Sequence, residues 1–262
     1  MSPDLIKKHV ESNDLIGRAW EVLTSDAEVR DLLRMSNINA VQRLLYNDHG
    51  PVHATIVAGS ALEIMDILLS QGLNPTSLAH GTAGSVDEAK LIVLAAAYLH
   101  DIGNAIHRAD HELVGACIAK GILDRLLPEI LGAEHPRINT IKYEILHAIH
   151  STSMDVQALT LEASIVKVAD ATDMAEGRAR FPYRKGKADI HALSALAVKS
   201  VELSPGEKRP LRITVRMDDT AGFFQIERVL MPKVMTSKMT GHVEIIPVLE
   251  AGHSRRLHPI YP

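Results

Sequence analysis

Over roughly the first 200 residues, apolar side chains return every three or four positions between short polar breaks, which is the period of amphipathic helices. Asp14 to Leu23 has this spacing, and Ser25 or Asp26 is placed to cap a following helix that ends near Met35. Asn39 to Tyr46 reads as a helix or turn. His53 to Leu69 predicts a long helix with Ile56, Val57, Ser60, Ile64, Ile67 and Leu68 on related faces, stopped by Gln71-Gly72. Ser85 with Glu88 three residues on is a capping-box signature for a helix reaching His100. Further helices are expected over His111 to Leu127, stopped near Pro128, and over Asn139 to His150, Thr160 to Glu176 and Asp189 to Val201.

The pattern then changes. Leu203 to Pro210 reads as a linker of Ser, Pro and Gly, and LRITVRM alternates as a strand does. DDTAGFFQIERVLMPKVMTS predicts a loop and a helix that breaks or kinks at Pro232, and HVEIIPVLE predicts a second strand. The expected fold class is mostly α: a helical bundle over residues 1–202, followed by a small α+β subdomain of β-α-β order over residues 203–262.

Composition narrows the class. With 262 residues and 46% hydrophobic content the chain can bury a sizeable core. A net charge of −4 argues against a general nucleic-acid-binding field. The single cysteine, Cys117, cannot form an internal disulfide, and the first ten residues lack a signal-peptide core. The longest apolar run, Leu91 to Leu99, is too short to span a bilayer. A cytoplasmic protein, not associated with membranes, is the expectation.

Histidine is the unusual component. Of 14 histidines, nine fall between His49 and His150, in a chain that is only 3% aromatic. Clustered imidazoles point to metal or proton chemistry. One dipeptide stands out: LIVLAAAYLHDIG drives an apolar run into His100 and Asp101. An unpaired carboxylate beside such a core is costly to desolvate, and a divalent metal would stabilise it. His53 opens one long helix, and Asp170 lies near the end of another in SIVKVADATDM, with Asp173 close by. Helices that each carry a ligand beside an apolar face build metal sites in bundle cores.

HATIVAGSAL, AAAYLHDIGN and VKVADATDM, in that order, resemble the HD superfamily of metal-dependent phosphohydrolases over residues 45 to 175. The resemblance implies an HD-type helical bundle and one divalent metal held by His53, His100, Asp101 and Asp170. Members with a second metal carry further histidines, which by resemblance are His111 and His150, with His147 as the alternate, His107 behind it, and Asp101 as the bridge. The cofactor is then one or two divalent ions, with Mn, Mg, Fe, Co, Ni and Zn not distinguished. Asp101, His111 and His150 become the catalytic candidates. The implied chemistry is hydrolysis of a phosphate ester by metal-activated water. Asn104 stands where cyclic-dinucleotide phosphodiesterases of this superfamily usually have Lys, and their GYP signature is missing. Gly103 is expected to permit the turn after the doublet.

GRARFPYRKGK, residues 177 to 187, gathers Arg178, Arg180, Arg184, Lys185 and Lys187 without an acid. Arg178, Arg180 and Lys185 are the candidate phosphate contacts, with Tyr183 or Phe181 to stack on a base and Arg108 as another anion contact. The expected partner is a small phosphorylated substrate such as a nucleotide. The competing reading for this run is a solvated loop. His49 reads as structural, His80, His135 and His191 as surface or packing residues, and Met231, Met235 and Met239 as a packing stripe. Exposed strands in the tail would pair across a dimer, so a homo-oligomer is expected. Two other functions fit the same residues: a nucleotide-sensing protein that keeps the metal site without turnover, and a di-iron oxygenase on the same scaffold.

Overall fold

In a computed structural model of the protein, residues 1–175, 190–250 and 255–262 are described. Nine helices lead the chain: α1 (Leu5–Ser12), α2 (Asp14–Ser25), α3 (Ala27–Asn37), α4 (Pro51–Ser70), α5 (Thr76–Ala79), α6 (Val86–Leu99), α7 (His111–Leu131), α8 (Ile138–His150) and α9 (Leu161–Thr172). A π-helical turn spans Ile38–Arg43 and a 3₁₀ turn spans Ile102–Ala105. α10 (Ile190–Ala197) follows the undescribed stretch.

The most apolar helices are the central ones. α6 buries every residue from Leu91 to Leu99, and α4 buries nearly every residue from His53 to Leu68. A helix that is apolar all round belongs in a core. α4 packs on α1, α6 and α9, and α6 packs on α2, α8 and α9. By length and composition alone α4 could cross a membrane, but 67% of that window is buried inside the fold.

The caps follow the sequence signals. Asp26 accepts from Val29 N at 2.9 Å, Ser85 from Glu88 N at 3.1 Å and Thr160 from Ala163 N at 3.1 Å. Glu88 does not close a capping box. Its carboxylate instead takes Gly84 N at 2.9 Å and the Arg137 guanidinium at 2.9 Å.

Four strands form one mixed sheet in the order β1 (Val198–Pro205), β2 (Leu211–Met217), β3 (Val243–Leu249), β4 (Arg255–Arg256). β1 and β2 form an antiparallel pair, β2 and β3 a parallel one. A parallel pair needs a crossover, and helical turns from Thr220 to Leu230 leading into α11 (Met231–Met235) supply it. α11 rests on α9. Lys167 of α9, wholly buried, donates to Val156 O at 2.6 Å and Thr236 O at 3.4 Å, which ties the crossover to the bundle. Burial and the nearby Lys233 push the Lys167 pKa down to about 8. One continuous apolar core runs from Ile6 to Ile245.

Several expectations change. α7 continues past Pro128 to Leu131, because a proline in the last turn forfeits one bond and Gly132 N closes the end on Pro128 O at 2.9 Å. α9 stops at Thr172, four residues short of Glu176, where Asp173 leaves the helical conformation. The helix expected to reach Val201 gives way at Val198 to β1. That strand pairs with LRITVRM, with a register shift between Val198 and Ser200, and crosses both the 202/203 division and the expected linker. Cross-strand burial of Val198 and Val201 outweighs the local helical period. Pro232 lies at the start of α11, where the π-helical turn Ile226–Leu230 gives way to α-helix. Of the methionine stripe, Met239 is fully buried and Met235 is exposed.

Candidate metal centre

Three elements of the bundle bring their polar ends to one point. α4 contributes His53 from its first turn, the end of α6 contributes His100 and Asp101, and α9 contributes Asp170 from its last turn. His53 Nε2 lies 3.3 Å from His100 Nε2, 3.4 Å from Asp101 Oδ2 and 3.2 Å from Asp170 Oδ1. His100 Nε2 lies 3.4 Å from Asp101 Oδ2 and 3.6 Å from Asp170 Oδ1. One ligand atom each from His53, His100 and Asp101 lies within 4.8 Å of the others, and all three residues are buried.

The donor set fits a divalent cation. Among the described residues Asp101 Oδ2 is buried and makes no hydrogen bond, and the two imidazole Nε2 atoms face it at 3.4 Å. Each imidazole has its far nitrogen engaged: His53 Nδ1 donates to Asp173 Oδ2 at 2.7 Å and His100 Nδ1 to Ala97 O at 2.8 Å. Both Nε2 atoms therefore face the cluster, where a metal would take their lone pairs in place of a proton. The local field is strong. Burial opposes a charge on His100, but Asp101 and Asp170 outweigh it and push its pKa up to about 10. Burial pushes Asp101 and Asp170 upward, but His100 beside Asp101, and Lys233 with His100 beside Asp170, hold both carboxylates well below the usual range.

The turn after α6 is pinned from α3 and from the π-helical turn that follows it. Ser36 Oγ donates to Asp101 O at 3.0 Å, and Asn39 Nδ2 donates to Asn104 O at 2.8 Å and Ala105 O at 2.9 Å. Asn104 Nδ2 in turn donates to Asp101 Oδ1 at 2.9 Å, so the residue that departs from the phosphodiesterase pattern orients the doublet's carboxylate. Gly103 is needed for space, not for the turn, since its φ is not positive. A Cβ there would collide with His111 O and come within 2.6 Å of Gly115 N, so the glycine lets α7 approach the doublet.

α7 begins at this contact. His111 Nε2 lies 3.3 Å from Asp101 Oδ1 and 2.9 Å from an Arg108 guanidinium nitrogen, which also donates to Asn104 Oδ1 at 3.2 Å. A guanidinium only donates, so Nε2 accepts and the proton sits on Nδ1, 2.9 Å from Glu112 Oε2. Among the described residues His150 makes no hydrogen bond or ion pair with this cluster, and its Nδ1 is buried without a partner. His147 accepts from Leu159 N at 3.1 Å, a structural bond. His49 stacks 5.8 Å from His53, ring to ring, and His107 caps its own loop through Ala109 N at 3.0 Å. The basic run with Arg178, Arg180 and Lys185 lies outside the described residues.

Asp173, Asn104 and Lys233 went unassigned in the sequence. Asp173 Oδ2 holds His53, and Lys233 of α11 pairs with Asp170 Oδ2. Only the spacing of two aspartates in ADATD hinted at the first, and nothing local marks the last.

The HD domain family model matches residues 52–175, the span that carries all four converging residues. The chain is 40% identical to Uncharacterized protein MJ1020 of Methanocaldococcus jannaschii over 231 residues, 88% of each protein. No solved structure matches. The matched segment contains the whole cluster and the similarity runs almost end to end, so this chain belongs to the HD-domain superfamily.

Proposed function

We propose that the protein is a metal-dependent phosphohydrolase acting on a nucleotide or another small phosphate ester. The observation that carries this reading is the convergence of His53, His100, Asp101 and Asp170, with both imidazole Nε2 atoms facing the buried Asp101 Oδ2. A divalent ion held by these four residues would activate a water and polarise the phosphoryl oxygens. Asp173 and Ala97 O keep the imidazoles aligned for it, and Asn104 keeps Asp101 turned toward it.

The substrate's phosphate is served from the α7 side. Arg108 brings its guanidinium to the edge of the cluster, and its planar fork suits phosphate oxygens. The half-exposed Tyr46 ring, centred 6.0 Å from that guanidinium, offers a face on which a base would stack. One ion per chain is the proposed complement, because Arg108 already occupies the His111 lone pair and, among the described residues, His150 makes no hydrogen bond or ion pair with the cluster.

Elemental analysis of the purified chain, with a screen of phosphomonoesters, nucleotides and cyclic nucleotides, tests the reading. Turnover with one ion per chain, lost in Asp101→Ala with the fold intact, is expected. Two ions per chain, falling to one in His111→Gln, would overturn the single-ion assignment. Metal without turnover on any phosphate ester would favour a sensing or oxygenase role.

A further inference from the structure

Asp170 divides its two oxygens between different parts of the chain. Oδ1 faces the histidines, 3.2 Å from His53 Nε2 and 3.6 Å from His100 Nε2. Oδ2 takes the Lys233 ammonium. The lysine therefore does not stand in for a cation between the imidazoles, and both can be present at once. Lys233 comes from α11, in the crossover of the sheet and outside the segment that matches the HD domain.

Burial locates the open side of the cluster. The side chains of His53, His100 and Asp101 are 0%, 1% and 3% exposed, whereas Asp170 is 15% and Lys233 10% exposed. Of these five residues, Asp170 and Lys233 are thus the least covered by protein. Charge points the same way. Asp101, Asp170 and Asp173 place three carboxylates at the cluster, which one divalent ion and the Arg108 guanidinium at its α7 edge only balance, so a phosphate dianion gains from a further cation. An ammonium has three donors, and among the described residues Asp170 is the acceptor found for Lys233.

We propose that Lys233 is a substrate-binding residue supplied by the C-terminal unit, contributing N–H donors and charge to a phosphate at the mouth of the metal centre. This rests on the phosphohydrolase reading. The alternative is a purely structural tie that holds Asp170 in place, and the two differ in sign. A cation beside a cation site does not strengthen metal binding, so losing it leaves Mn²⁺ affinity intact or raised while anion affinity falls. A structural tie, once cut, loosens Asp170 and weakens metal binding.

The test is calorimetric, on the full chain. Mn²⁺ is titrated into metal-free protein, and inorganic phosphate into the Mn²⁺-loaded protein, for wild type, Lys233→Met and Lys233→Arg. The expected result is a phosphate Kd raised about tenfold or more in K233M, as for loss of a charge-assisted hydrogen bond. Mn²⁺ binding should be no weaker than wild type, and K233R should recover most of the phosphate affinity. Phosphate binding within twofold of wild type in K233M would overturn the proposal, as would Mn²⁺ and phosphate affinity falling together in both variants. Wild-type protein that binds Mn²⁺ but no phosphate would defeat the phosphohydrolase reading itself, before any variant is compared.

Discussion

Asp173 Oδ2 lies 2.7 Å from His53 Nδ1, joining the C-cap of α9 to the first turn of α4 across 120 residues of chain. Both side chains are buried, so the bond holds the imidazole in one tautomer and one orientation. Asp173→Asn keeps the shape but removes the charge. Mn²⁺ affinity is expected to fall by about 10- to 100-fold. Calorimetric titration reads this directly, and an unchanged Kd would mean that His53 needs no such partner.

Asp101 is expected to be necessary to the metal-loaded fold. Among the described residues its Oδ2 makes no hydrogen bond and faces the Nε2 atoms of His53 and His100 at 3.4 Å, so it is the oxygen a divalent ion would take. Wild type should gain about 3 kcal/mol at a hundredfold excess of Mn²⁺ over Kd, and D101N almost nothing. A metal-induced shift in Tm equal in both proteins would remove Asp101 from the site.

Gly103 tests the close approach of α7. A methyl group there meets backbone, His111 O and Gly115 N, and no flexible side chain can yield. Gly103→Ala should destabilise by about 3 kcal/mol and displace the His111–Asp101 contact. Denaturant unfolding measures the first effect. A loss below about 0.5 kcal/mol would show that α7 shifts freely.

A pH effect is expected far from the metal centre. His9 of α1 is buried with Nε2 3.3 Å from Glu63 Oε2 and Nδ1 3.1 Å from Asp66 Oδ2 of α4. Burial opposes its charge, but the two carboxylates outweigh burial and raise its pKa above 6.5. A raised folded pKa gives stability that is fully present below pH 6.5 and is lost as pH climbs through the folded value. The Tm difference between wild type and His9→Gln should therefore be larger at about pH 5.5 than at about pH 9. A difference that grows with pH would reverse the assignment.

The residues that could be read from the sequence are those whose role follows from local chemistry. The helical period located α2, α3, α4, α6 and α8 to within a few residues, and the LHDIG stretch singled out His100 and Asp101 because an apolar run ends on a carboxylate. The strand that begins at Val198 was hidden, because VKSVELSP is decided by its partner LRITVRM. Asn104 looked like a departure from a motif until its amide was seen to hold Asp101.

Most of the long helices, their apolar faces and the ligand types the chain can offer were legible in the sequence, whereas α1, α5 and the strand from Val198 were not. The legible features depend on residue spacing within one or two turns. The tertiary structure decided how those ligands are oriented and what charge surrounds them. Asp173 reaches His53 across 120 residues, and Lys233 reaches Asp170 across 63. Such pairs leave no periodic trace, because the distance that matters is through the packed core and not along the chain.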